Sequence, residues 1–283
     1  MKKIIAFFLL LIGLHFAFPF LVYGDVGPKP SLEIIVKNPP QTEYYLDLLV
    51  DYKKDHLYQN IRNKEVYSEK MYHALESYYV DGWRPALVTG TSVPLNGHLI
   101  GNQDGNNMIH KFSYVGVPDR FKLIIVTAND ETIISDNIIN RKAFNSTTYF
   151  DCKTKKLTES SLIIAYLLQF IATCSITLLI EGLILLLFSF SIKKNWKPFL
   201  AINVLTQILL TLVIFSTMYF SGSFAAILLY IPFELIILII EIILFAKYLT
   251  QHSKARRITF AIVGNMISFL LGLVALLYFP GIL

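Results

Sequence analysis

Three carboxylates, Glu181, Glu234 and Glu241, lie inside an apolar run that extends from residue 161 to residue 283. A charged side chain at membrane depth costs roughly 2.5–3.5 kcal/mol on insertion scales, so each of the three needs a partner or a task. Glu234 and Glu241 are seven residues apart and share a helix face. Asn203 with Thr206 or Gln207, and Asn265 with Ser268, are also same-face pairs. At 1.5 Å per residue, most of these groups fall between about 8 and 18 Å from one end of their apolar segments. They are expected to form one buried polar layer: Glu181, Asn203, Thr206, Gln207, Glu234, Glu241, Asn265 and Ser268. Gly264 and Gly272 would let a neighbouring helix come close beside it. Two chemistries suit such a layer. One is a proton or ion site, or a polar pocket for a substrate. The other is helix–helix adhesion, in which a protonated Glu donates to Asn and Gln across a bundle.

The elements that must carry these residues are four apolar segments near 161–190, 198–220, 224–246 and 258–280, each long enough to cross a bilayer. The connections at 193–197 and 247–257 are basic, with Lys193, Lys194, Lys197, Lys247, Lys254, Arg256 and Arg257, whereas Ser221-Gly222-Ser223 carries no charge. The positive-inside rule predicts both basic loops in the cytoplasm and 221–223 outside. An exported N-terminal domain requires the same direction for the first crossing.

That export is read from the first 24 residues. Lys2 and Lys3 precede an apolar stretch over 4–22, and Val22 and Gly24 occupy the −3 and −1 positions of a cleavage site before Asp25. An uncleaved anchor is the alternative, since the apolar stretch is long and aromatic. Residues 25–158 follow as an extracellular domain. Period-two alternation predicts strands over 32–37, 44–52, 111–115 and 147–152, the last leading to the membrane. The 44–52 strand is expected to be half-buried, with Tyr45, Asp47, Leu49 and Asp51 on a wet face. Segments 120–127 and 132–135 flank Asn129-Asp130 and predict a hairpin. Helical spacing of Tyr67, Met71, Ala74, Leu75 and Tyr78 predicts one amphipathic helix over 65–80. The expected fold is a four-helix transmembrane bundle carrying a mainly-β, sandwich-like extracellular domain with one helix.

Composition agrees. The 283 residues are 54% hydrophobic, above the roughly 45–50% of soluble domains. Net charge is +5, yet residues 25–158 hold 16 Lys or Arg against 16 Asp or Glu. The surplus therefore lies in topology determinants and gives no nucleic-acid footprint. Cys152 and Cys174 are separated by up to about 33 Å of helix, which excludes a disulfide between them. The four segments contain no His and no Asp, so neither a zinc-protease site nor an aspartyl dyad can form there. Gly101-Asn102-Gln103-Asp104-Gly105-Asn106-Asn107 lacks the alternating ligands of a calcium loop and reads as a turn. No cofactor or metal is expected and no catalytic constellation is recognisable. The partners expected are the lipid bilayer and an extracellular ligand or protein. The reading leaves two functions open: extracellular sensing or binding, and proton- or ion-linked transport through the buried carboxylates.

Asp25-Val26-Gly27-Pro28-Lys29-Pro30-Ser31 resembles the start of the exported domain in an uncharacterised family of Gram-positive bacterial membrane proteins. The similarity extends to Glu181-Gly182, Asn203 with Thr206-Gln207, Glu234 with Glu241, and Asn265 with Ser268. It implies a bacterial membrane setting and no mechanism.

Overall fold

A computed structural model describes residues 27–52 and 57–278, with side chains through Leu271. The expected signal segment 1–24 lies outside the described residues, as do the surroundings of Gly272. The chain divides into two compact units, a β unit of residues 27–160 and a helical unit built mainly from 161–218 and 223–278.

The β unit contains two sheets. Its strands are β1 (Ser31–Lys37), β2 (Tyr44–Val50), β3 (Arg84–Pro85), β4 (Asn96–Gly97), β5 (Asn102–Asp104) and β6 (Asn107–Ser113). They continue as β7 (Arg120–Thr127), β8 (Thr132–Ile134), β9 (Ile139–Asn140), β10 (Asn145–Asp151) and β11 (Lys156–Glu159). The first sheet runs β11-β10-β1-β6-β4, with β5 also on β6; the second runs β3-β2-β7-β8, with β9 also on β7. Only β1 with β10 is parallel among the described pairings, in the register Ile34 opposite Thr148. Alternation explains β1, which buries Leu32, Ile34 and Val36 and leaves the intervening residues partly exposed. These side chains, Phe112 and Phe150 meet Leu46, Leu48, Leu123 and Ile125 of the second sheet in one core. Each such residue contributes roughly 1.5–3 kcal/mol by leaving water.

β2 differs from its expected half-wet form, being buried at every position. Tyr44 faces the first sheet, where its hydroxyl meets His110 Nε2 at 3.2 Å. The opposite face is covered by two helices, α1 (Glu69–Glu76) and α2 (Ala86–Thr89). Asp47 points into this second layer. Its carboxylate accepts the backbone N–H of Leu87 at 2.9 Å and of Val88 at 3.0 Å. A polar residue on an alternating strand thus marks a buried helix anchor here.

Helix α1 has eight residues in place of the expected 65–80. Tyr67 is extended, with φ −106° and ψ 150°, and separates α1 from a 3₁₀ turn at Lys64–Val66. Its ring packs edge-on against Tyr45, 5.4 Å between centroids, so its helical spacing reflects packing on β2. The β7–β8 hairpin forms around Asp130, which has φ 65°. The 111–115 strand ends at Ser113, because Tyr114 takes φ 84°. β10 is not the last strand: the lysine-rich stretch after Cys152 turns at Lys155, φ 52°, into the edge strand β11. Charged residues on an edge conceal its strand character while protecting it from pairing.

The helical unit consists of α3 (Leu162–Leu187), α4 (Ile192–Tyr248) and α5 (Lys254–Tyr278). Among the described residues two helices are long and apolar enough to cross a membrane, α3 and α4, where four separate spans were expected. The difference arises because α4 joins two of the expected spans, and because the fourth, near 258–280, runs past the described residues. The 57 residues of α4 are broken at Gly222, whose φ of 84° and ψ of 171° are not helical. That conformation is essentially restricted to glycine. Thr206 and Glu241, 35 residues apart, are hydrogen-bonded at 2.5 Å. A straight helix would separate them by about 52 Å. The chain therefore reverses at Gly222, and α4 is two antiparallel limbs, 192–221 and 223–248.

At the other end of the limbs, the two basic connections are tied together. Asn195 is fully buried. Its amide donates to Gln251 Oε1 at 3.1 Å, and its Oδ1 accepts from Thr250 N at 2.8 Å. Arg257 donates to the carbonyls of Ala246 and His252, 3.1 Å each. Buried Phe190, Phe245 and Phe260 pack above these ties, with ring centroids 5.2–5.7 Å apart.

Candidate functional site

A cavity of about 320 Å³ runs between the limbs of the helical unit. All eight residues of the expected polar layer line it. The periodicity explains the convergence. Apolar residues that face outward are tolerated all round each limb, so the polar positions select the inward face.

The deep end holds Glu181, Asn203, Thr206, Glu241 and Asn265, each no more than 7% exposed. Glu241 has a donor on each oxygen. Its Oε1 accepts the Thr206 hydroxyl and its Oε2 accepts Asn265 Nδ2 at 2.7 Å, joining both limbs of α4 to α5. Glu181 is served on one oxygen only, where Ser268 Oγ donates to Oε1 at 3.2 Å. Its Oε2 has no hydrogen-bond partner, although it is buried. Asn203 lies beside Glu181, within reach of its carboxyl, and apart from that contact neither its amide nor Glu181 Oε2 has a hydrogen-bond partner. Gly264 makes room for Glu181. A Cβ built there would sit 3.6 Å from Glu181 Cγ, ordinary contact, so α5 approaches as closely as a larger side chain would forbid.

Glu234 and Gln207 line the middle and are half-buried. Gln207 Nε2 donates to Thr173 Oγ1 at 3.3 Å, tying the first limb of α4 to α3. Towards the Gly222 end the lining becomes more exposed, ending at Ser223 and Ile227. One turn beyond the deep end, Leu185, Ile202, Phe245 and Ala261 are each at most 5% exposed. The lining is thus most buried at the end of the basic connections and least buried towards Gly222.

Several lining residues were not anticipated: Gln169, Thr173, Thr177, Thr211 and Tyr230. Their signal is present in the chain. Gln169, Thr173, Thr177 and Glu181 recur every four residues along α3, as Tyr230 and Glu234 do on α4. Hydroxyls and aromatic rings carry less penalty in an apolar segment than carboxylates, so spacing alone marks them.

Among the described residues, no group of three His, Cys, Asp or Glu converges as a metal site. In the β unit, Asp47 and His110 are buried titratable groups. Burial pushes the Asp47 carboxyl up to about 7, against the pull of the N–H groups it accepts. Burial pushes the His110 imidazole down to about 4. Both lie within the packed layers and serve the fold. No protein-family model, curated protein or solved structure matches the chain.

Proposed function

We propose that the chain is a multi-pass membrane protein that crosses the bilayer four times, carries its β unit outside, and binds a small solute in the helical cavity from that side. The observation that carries this reading is the cavity itself. It gathers all eight polar residues on a common inward face and leaves Glu181 Oε2 and the Asn203 amide with no partner beyond each other. Helix adhesion alone would favour filling the rest of their hydrogen-bonding capacity from neighbouring helices, since a buried unsatisfied polar group costs about 1–3 kcal/mol. The basic connections lie at the most buried end, and basic loops belong in the cytoplasm, so the less buried end, towards Gly222, faces outward. The packed deep end favours a binding site over a continuous path for transport. The resemblance to Gram-positive membrane proteins supplies a bacterial setting for this reading.

Cysteine labelling in intact cells tests it. In a chain carrying Cys152→Ser and Cys174→Ala, Thr177→Cys is expected to react with a membrane-impermeant thiol reagent added outside. Labelling only after the membrane is permeabilised, or none even then, would sink the outward-facing pocket.

A further inference from the structure

We propose that this pocket selects a small organic ammonium compound, with Glu181 as the anchor of its charge; the inference rests on the outward-facing pocket argued above. Its lining includes three carboxylates, Glu181, Glu234 and Glu241, and no Lys, Arg or His. The helical segments around it contain no basic residue between 162 and 187 or between 198 and 246. Buried carboxylates without a protein cation are costly unless something else balances them. The pocket therefore disfavours anions, and a cation brought from outside replaces the proton that otherwise neutralises a buried carboxyl.

The three carboxylates do not contribute alike. Glu241 already accepts from Thr206 and Asn265 and has both oxygens occupied. Glu181 keeps one oxygen whose only polar neighbour is the Asn203 amide, itself without another partner, and both side chains are 2% exposed. An ammonium group donates three hydrogen bonds and accepts none, so it satisfies Glu181 Oε2 and Asn203 Oδ1 together. The Glu181–Ser268 hydrogen bond holds the carboxylate in place for this.

Geometry separates an organic cation from a metal ion. Glu234 stands two turns along the helix from Glu241, about 10 Å, so the carboxylates are spread along the pocket. No three acidic groups converge on one point among the described residues. Beside the polar side chains of Gln169, Thr173, Thr177, Gln207 and Thr211, the walls carry apolar and aromatic ones, including Ile214, Phe215, Ile237 and Tyr230. They suit a ligand with a hydrocarbon or aromatic body. A volume of about 320 Å³ falls at the lower edge of ordinary small-molecule pockets.

The test uses the purified full-length chain in lipid nanodiscs, with phenethylammonium as probe. 2-Phenylethanol is its neutral counterpart and 3-phenylpropionate its anionic one. Phenethylammonium is expected to raise the melting temperature saturably, and the other two to leave it unchanged. Glu181→Gln should weaken phenethylammonium binding at least tenfold in calorimetric titration. Ala226→Leu, which fills the pocket while keeping Glu181, should weaken it similarly and covers the case in which Glu181→Gln does not fold. Equal binding of the alcohol and the ammonium, or undiminished binding in Glu181→Gln, would overturn the proposal. So would absence of phenethylammonium binding. If Thr177→Cys is still labelled from outside in those cases, the pocket stands and only the ligand class fails. If that labelling also fails, the pocket reading falls with it.

Discussion

Asp47 and His110 are both fully buried in the β unit and titrate in opposite senses. With its folded value raised to about 7, Asp47 contributes stability that is fully present below about pH 4 and lost as pH rises towards 7. With its folded value depressed to about 4, His110 contributes stability present above about pH 6.5 and lost as pH falls towards 4. The two slopes oppose each other in the wild-type chain over pH 4–6.5. Thermal unfolding of the full-length protein in detergent should expose each. His110→Gln is expected to lose stability as pH rises across this window, and Asp47→Asn to gain it. Identical pH profiles for the two variants would show that neither group carries the linkage. Asp47→Ala should also destabilise the β unit by roughly 3 kcal/mol, because several buried N–H groups lose their acceptor. Deep in the helical unit, the same rule separates Glu241, whose oxygens both have donors, from Glu181, which has one.

At the scale of elements, the reversal of α4 rests on one residue. Gly222 holds φ 84° and ψ 171°, where a side chain costs of order 1–3 kcal/mol. Gly222→Val is therefore expected to lower the melting temperature of the full-length chain, and an unchanged melting temperature would count against a tight turn there. The opposite end depends on Asn195. Asn195→Ala removes its hydrogen bonds to Thr250 and Gln251 and should cost about 2 kcal/mol. Limited proteolysis between 189 and 195 and between 249 and 253 should accelerate in that variant. At Gly264, Ala is expected to be tolerated, since its Cβ would make only ordinary contact with Glu181. Leu at the same position should displace Glu181 and abolish phenethylammonium binding, read by the same titration.

For the whole molecule, the expectation concerns sidedness. In the background lacking Cys152 and Cys174, Asn129→Cys in the β unit should be labelled in intact cells. Ser253→Cys, in the second basic connection, should be labelled only after permeabilisation. Labelling of both from outside would overturn the four-crossing topology. The apolar segments were readable because a run of about 20 apolar residues, long enough to cross a bilayer, stands out in any sequence. The joining of two of them into one helical stretch was not readable, since Ser221-Gly222-Ser223 has the composition of an ordinary short loop. It becomes a single-residue reversal only in the folded backbone.

Much of the candidate site was legible for the same reason. Polar residues are rare in apolar runs, and the helical period assigns each to a face, so the chain alone groups Glu181, Asn203, Glu241 and Asn265. The β1 strand and the β7–β8 hairpin were legible from alternation and from the Asn129-Asp130 turn. Spacing states which way a side chain points along its own helix or strand. It does not state what the neighbouring element places opposite. That is why the covering of both faces of β2, the role of Asp47 as an anchor for α2, and the asymmetry between Glu181 and Glu241 emerged only from the tertiary structure. A hydrogen-bond partner 24 or 87 residues away is chosen by packing, and packing decided which carboxylate is satisfied and which is left facing a cavity.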